Sequence, residues 1–140
     1  MQEYSETGPW ASLPPRRRCA LVARTAAAVA DAAEELTSAM VSDQRPDPTE
    51  TLGAELVPLC DALKFIGRKG GRILGDRRLG TRGRPWWLWG VRSVVRRVPH
   101  GRVLIVGTWN YPLLLVGVQA AQALAGGNTV LVKPASGVES

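Results

Sequence analysis

Two side chains in this sequence are best placed to act on a ligand, Asn110 and Lys133. Asn110 stands in Gly107-Thr108-Trp109-Asn110-Tyr111-Pro112, directly after the apolar run Val103-Leu104-Ile105-Val106. Lys133 ends a second apolar run, Thr129-Val130-Leu131-Val132, and Pro134-Ala135-Ser136 follow it. The Asn110 carboxamide can donate two hydrogen bonds to a ligand oxygen. Equally, an Asn just ahead of a proline in a first helical turn can serve as a helix cap. Lys133 lies where the adenosine half of a dinucleotide would sit if the run before it is a strand of a parallel sheet; the plain alternative is a solvent-facing lysine at a strand end. The remaining chemistry-bearing residues are less suggestive. Cys19 and Cys60 stand alone in helical-looking segments, match no metal spacing and imply no disulfide framework. His100, the only histidine, falls in Pro99-His100-Gly101 and reads as a surface turn residue, with no ligand pattern around it.

The elements that must position Asn110 and Lys133 are legible around them. Residues 103–106 and 129–132 are short, β-branched and apolar, as in strands buried on both faces. Residues 113–125 read as a helix, with Gly126-Gly127-Asn128 as its stop signal. Strand, helix and strand form a βαβ unit, whose strands are parallel. Ligands of such sheets bind in the crevice outside the carboxyl ends of the strands, where residues 107–112 and 133–136 fall. The dinucleotide fingerprint GxGxxG is missing; Gly107 alone is present.

Upstream, residues 1–13 read as a disordered, frayed terminus. A helix is expected over 16–41, with Leu21, Ala28, Ala32 and Leu36 near one face. A second helix starts at Asp47-Pro48-Thr49-Glu50, with Asp47 as cap and Glu50 completing a capping box. It runs to about Lys69, buries Leu52, Leu56, Leu59, Leu63 and Ile66, and is ended or weakened by Gly70-Gly71. Residues 72–84 look irregular and basic, and 91–98 have the composition of an outlying strand. The expected organisation is therefore a terminus (1–13), a helical segment with a basic linker (14–90), an outlying strand and turn (91–101) and the βαβ unit (102–140).

With 45% hydrophobic and 21% charged residues, the chain has an ordinary soluble composition. No apolar stretch is long enough to span a bilayer and no secretory signal is visible, so a cytoplasmic location and no membrane partner are expected. The net charge of +6 is uneven: eleven Arg or Lys and one acid, Asp76, lie between Arg68 and Arg102, with Trp86, Trp87 and Trp89 among them. Such a stretch can bind single-stranded nucleic acid. The plainer reading, favoured because no nucleic-acid motif accompanies the charge, is a solvated linker and edge strand whose tryptophans pack on a neighbouring domain or subunit.

VLIVGTWNYP, the AAQALAGGN helix end and VLVKPAS, taken together with their spacing, resemble the start of the cofactor domain of the aldehyde dehydrogenase superfamily. The resemblance covers roughly residues 15–140 and only the N-terminal part of a family member. It implies an α/β fold: N-terminal helices, an outlying strand, then the beginning of a parallel Rossmann-like sheet. It implies NAD or NADP as cofactor, an aldehyde as substrate and a homo-oligomer when complete. Asn110 would stabilise the oxyanion formed when a cysteine attacks the aldehyde, and Lys133 would bond the adenine ribose hydroxyls. Gly107, Thr108 and Trp109 would line the same crevice. Where the family often has a Glu that binds the ribose diol, this chain has Ser136, which can accept a hydrogen bond but carries no charge. The family's nucleophilic cysteine and water-activating glutamate follow the Lys-Pro strand, so this chain alone is expected to be inactive. The alternative is a non-catalytic nucleotide- or nucleic-acid-binding module.

Overall fold

The computed structural model describes residues 8–42, 46–80 and 82–136. Within the segment expected to be frayed, Pro9–Ser12 forms a short helix, α1, while residues 1–7 lie outside the described residues. One long-range bond and two local ones tie this segment down. The Trp10 indole N–H donates to the Leu124 carbonyl at 2.8 Å, and the Arg18 guanidinium donates to the carbonyls of Ala11, at 3.1 Å, and Leu13.

The first expected helix is two, α2 (Pro15–Asp31) and α3 (Ala33–Ala39), separated by Ala32 at φ −91°, ψ 11°. Neither Gly nor Pro marks the break. The buried side of α2 is Arg18, Cys19, Val22 and Ala26. Leu21 is only half-buried and Ala28 is exposed. In a helix this rich in alanine the apolar contrast between faces is weak, and the packing partners decide the phase.

Asp47 caps the next helical run as expected: its carboxylate accepts the Thr49 N–H at 2.8 Å, and that bond holds the Asp47 carboxyl below its ordinary pKa. The run then winds over residues 48–74 as α4 (Pro48–Thr51), a π-helical segment (Leu52–Leu56), α5 (Val57–Phe65), a second π segment (Ile66–Gly70) and α6 (Gly71–Leu74). Leu56, Leu59, Leu63 and Ile66 are buried, whereas Leu52 is exposed. Gly70-Gly71 does not end the helix. Both residues are helical, and their missing side chains let the run approach α2. A Cβ on Gly70 would lie 2.7 Å from Cys19 Sγ, and one on Gly71 would lie 3.0 Å from the Arg16 Cα.

β1 (Arg77–Leu79) and β2 (Ser93–Val95) pair antiparallel, Arg77 opposite Val95 and Leu79 opposite Ser93, with a 3-10 turn, Trp86–Leu88, between them. The outlying strand is thus shorter than the expected 91–98. Its partner lies in the stretch expected to be irregular, because all three β1 side chains are exposed and leave no alternation to read.

β3 (Arg102–Val106) and β4 (Thr129–Lys133) pair in parallel, joined by α7 (Pro112–Ala125), which completes the βαβ unit of an α/β chain. Burial on both faces was expected; it occurs on one. Ile105 is buried, Val103 and Val130 are half-buried, and the opposite face leaves Leu104, Val106 and Leu131 exposed at 59%, 61% and 57%. α7 packs across the covered face and meets α2 and α5 in a shared core of Cys19, Val22, Ala26, Leu59, Leu63, Ile66, Ala121 and Ala125. Each buried Leu or Ile there stabilises by about 1.5–3 kcal/mol. The exposed Arg96–Asp76 ion pair at 3.3 Å contributes about 0–1 kcal/mol. The apolar core, not surface charge, accounts for most of the stabilisation among these contacts. The stop signal after α7 works as expected. Gly127 takes φ +96° and its N–H donates to Leu124, while the Asn128 N–H reaches back to Ala123 at 3.0 Å, closing a Schellman motif.

Candidate functional site

The β3–β4 register puts Val106 opposite Lys133, and the Gly107 N–H donates to the Lys133 carbonyl at 2.8 Å. The two connecting loops therefore leave the sheet side by side. Between them opens a crevice of about 610 Å³, at the carboxyl ends of both strands. Gly107, Thr108, Trp109 and Asn110 line it from one loop, Lys133 and Ser136 from the other. All six residues singled out in the sequence thus meet in one place. Gly107 lets the loops come this close: a Cβ there would lie 3.2 Å from the Ala135 nitrogen and 3.3 Å from the Lys133 carbonyl. Trp109, Asn110, Lys133 and Ser136 are exposed to the opening. The Lys133 ammonium donates to the Pro134 carbonyl at 3.3 Å, and with three N–H donors it has capacity for further acceptors.

The local chain puts Asn110 one residue ahead of the N-cap position of α7. The N-cap position of α7 is Tyr111, at φ −138°, ψ 66°, and Pro112 follows as the first helical residue, with no N–H of its own. The next two amides, Leu113 and Leu114, donate to a single oxygen, Glu55 Oε2, at 2.8 and 3.0 Å. The donors that a capping side chain would serve are already satisfied, from another helix.

Glu55 is fully buried in the first π segment and was not singled out in the sequence. The signal was present: it stands three residues after Leu52 and four before Leu59, a charge within the apolar stripe itself. The far end of α7 is held by the opposite charge. The buried Arg18 donates through Nε to the Ala125 carbonyl at 3.0 Å and through Nη2 to Gly126 at 3.5 Å. Anion at the N-terminus and cation at the C-terminus both match the helix dipole.

The other candidates lie elsewhere. Cys19 is fully buried between α2 and the second π segment, and burial pushes its thiol up, against the lowering effect of Arg18. Cys60, half-buried, approaches the Ala26 carbonyl at 3.6 Å in the contact between α2 and α5. Neither joins the crevice. The His100 backbone N–H donates to Asn128 Oδ1 at 2.6 Å while its side chain is exposed, as in a plain turn. Trp86, Trp87 and Trp89 are exposed at 74%, 66% and 67%. Trp86 and Trp87 meet edge to face, at 5.7 Å and 83°, which does not offer successive parallel faces for stacked bases.

Comparison with known proteins agrees with this geometry. The profile of the aldehyde dehydrogenase family matches residues 2–139. A fatty aldehyde dehydrogenase of Saccharomyces cerevisiae is 33% identical over 107 residues, covering 76% of this chain and 20% of its own length. A betaine aldehyde dehydrogenase of Brucella ovis is 33% identical over 127 residues, covering 91% of this chain and 24% of its own length. The chain thus spans a quarter or less of these relatives. Among solved structures, an apo indole-3-acetaldehyde dehydrogenase superposes with a TM-score of 0.75 at 28% identity, over 93% of this chain and 28% of its own. An NAD-dependent benzaldehyde dehydrogenase from Corynebacterium glutamicum does so with 0.68 at 27% identity, over 93% and 27%.

Proposed function

The chain belongs to the aldehyde dehydrogenase family, and on that premise we propose that it forms the N-terminal part of an NAD(P)-dependent enzyme that oxidises an aldehyde to a carboxylic acid. The observation that carries the reading is the meeting of Asn110 and Lys133 in one crevice at the ends of two parallel strands. In this reading Asn110 is the donor to the reacting oxygen and Lys133 the cation that meets the ribose.

The residues fit the adenosine end of a nicotinamide dinucleotide. Lys133 supplies an ammonium for the ribose hydroxyls, and Gly107 lets the backbone approach closely. The N-terminus of α7, which in many dinucleotide folds cradles phosphate, is filled by the Glu55 carboxylate. A pyrophosphate is disfavoured there, consistent with the missing GxGxxG. The bound cofactor supplies the hydride acceptor.

In this reading a cysteine thiolate from outside these 140 residues adds to the aldehyde carbon. The Asn110 amide donates to the oxygen as it becomes an oxyanion. The resulting thiohemiacetal gives up its hydride, and water releases the acid. Cys19 is not assigned that role: it is fully buried in the helical core and does not line the crevice. Cys60 packs in a helix contact away from the crevice. The 140-residue chain by itself is therefore expected to turn over no aldehyde. A homo-oligomeric, cytoplasmic enzyme completes the proposal; among the described residues no helix is long and apolar enough to cross a membrane.

The test is aldehyde-dependent formation of NADH and NADPH by a catalytically active form carrying this segment. Ser136 puts no negative charge beside the ribose, so both cofactors should be used. Ser136→Glu should lower kcat/KM for NADP by about tenfold or more, the worth of roughly 1.4 kcal/mol, and leave NAD use within about threefold. No aldehyde-dependent reduction of either cofactor would sink the proposal. An unchanged NADP preference in the variant would sink the role of Ser136.

A further inference from the structure

We propose that Glu55 is a positioning residue for Asn110, an inference that rests on the oxyanion reading of Asn110 above. The loop that carries Asn110 is pinned at both ends. At Gly107 the sheet holds it, through the 2.8 Å bond to the Lys133 carbonyl. At Leu113 and Leu114 a single Glu55 oxygen holds it, at 2.8 and 3.0 Å. Asn110 lies midway, and Pro112 stiffens the backbone between it and the second anchor.

Glu55 is wholly buried on a face otherwise lined by Leu56, Leu59 and Leu63. A carboxylate in that place is tolerated only where donors offset its desolvation. Here the offset comes from two amides and the positive end of α7. An apolar side chain would fill the same core without that desolvation. What the carboxylate adds is a fixed tie between the helical layer and the start of α7. Glu55 also sits in a π segment, a local rewinding that often accompanies functional sites. The tie matters because a donor displaced by about 1 Å can cost about 10²-fold in rate.

The experiment is a double-mutant cycle in an active full-length protein, with Glu55→Ala, Asn110→Ala and both together, and with Glu55→Gln as the conservative variant. Glu55→Ala is expected to lower kcat by about 10- to 100-fold, with the Kd for NAD(P) within about twofold of the parent. In the Asn110→Ala background the same change should lower kcat by less than about twofold, because the group it positions is gone. Glu55→Gln keeps an acceptor oxygen at the same reach and should recover most of the loss. If Asn110→Ala is harmless, the oxyanion reading fails. If Asn110→Ala is harmful and the Glu55→Ala loss multiplies with it in full, the positioning role alone fails. If Glu55→Ala does not yield folded protein, Glu55→Asp takes its place in the cycle. Its shorter carboxylate must lower kcat on the parent and not on Asn110→Ala, and a parental kcat overturns the proposal.

Discussion

Replacing Asn110 with alanine in the active enzyme is expected to lower kcat and kcat/KM together by about 10²–10³-fold, or roughly 2.7–4 kcal/mol. Attack on an aldehyde turns a neutral carbonyl oxygen into an oxyanion, so a fixed N–H donor gains strength in the transition state. Such a donor lowers the barrier; it does not merely tighten substrate binding. Affinity for NAD(P) should stay near parental. Asn110→Asp should be at least as damaging, because an ionised carboxylate would face the developing negative charge. If Asn110 were instead a helix cap, the Asp variant would be nearly as active as the parent, since the two residues cap equally well. The structure bears on this choice. The first free amides of α7 are bonded to Glu55, so there is no capping deficit for Asp to fill. Steady-state kinetics of both variants separates the two roles, and a fully active Asp variant would remove Asn110 from the chemistry.

Arg18→Met should be among the most destabilising single changes in the helical layer. The guanidinium is buried and donates to Ala125, Gly126, Ala11 and Leu13, binding the end of α7 to the start of the chain. Hydrogen bonds from a charged donor contribute about 1.5–3 kcal/mol each, so a loss of at least about 3 kcal/mol is expected. Methionine fills much of the volume, so the loss reports the bonds more than a cavity. Arg18→Lys should recover only part, since a point ammonium cannot serve carbonyls on both sides as a planar fork does. Arg96→Met is the comparison: its ion pair with Asp76 is exposed, and about 0–1 kcal/mol is expected. Denaturant unfolding of the variants alongside the parent measures the difference. Equal losses at Arg18 and Arg96 would show that the buried guanidinium contributes no more than an exposed ion pair.

How much of this was legible in the sequence depended on whether a local pattern or a distant partner fixed each element. The βαβ unit was legible because its signals are local: two short β-branched runs, a proline at the first turn of α7, and the Gly126-Gly127-Asn128 stop. The crevice was legible with it, because strand ends in parallel pairing bring their following loops together. The helical layer was read less well. Gly70-Gly71 looks like a stop, yet serves a close approach to Cys19 and Arg16 that only the folded chain reveals. The buried side of α2 carries Arg18, which reaches α7, beside Cys19, Val22 and Ala26, and its many alanines do not reveal that phase in the sequence. β1 was missed because three exposed residues carry no alternation. Glu55 is hard to find from sequence because acidic residues on helices are usually solvated, although its place beside Leu56 and one turn before Leu59 is on the inner face.

Equilibrium titration of NAD and NADP against the parent protein, Lys133→Ala and Arg92→Ala tests most directly whether the crevice is the cofactor site. Lys133 lines the crevice, while Arg92 is exposed near the outlying strand pair and carries the same charge. One hydrogen bond from a charged donor is worth about 1.5–3 kcal/mol, so Lys133→Ala should raise Kd by about 10-fold or more. Arg92→Ala should leave it within about twofold. An unchanged Kd in Lys133→Ala, or an equal loss in Arg92→Ala, would contradict the assignment.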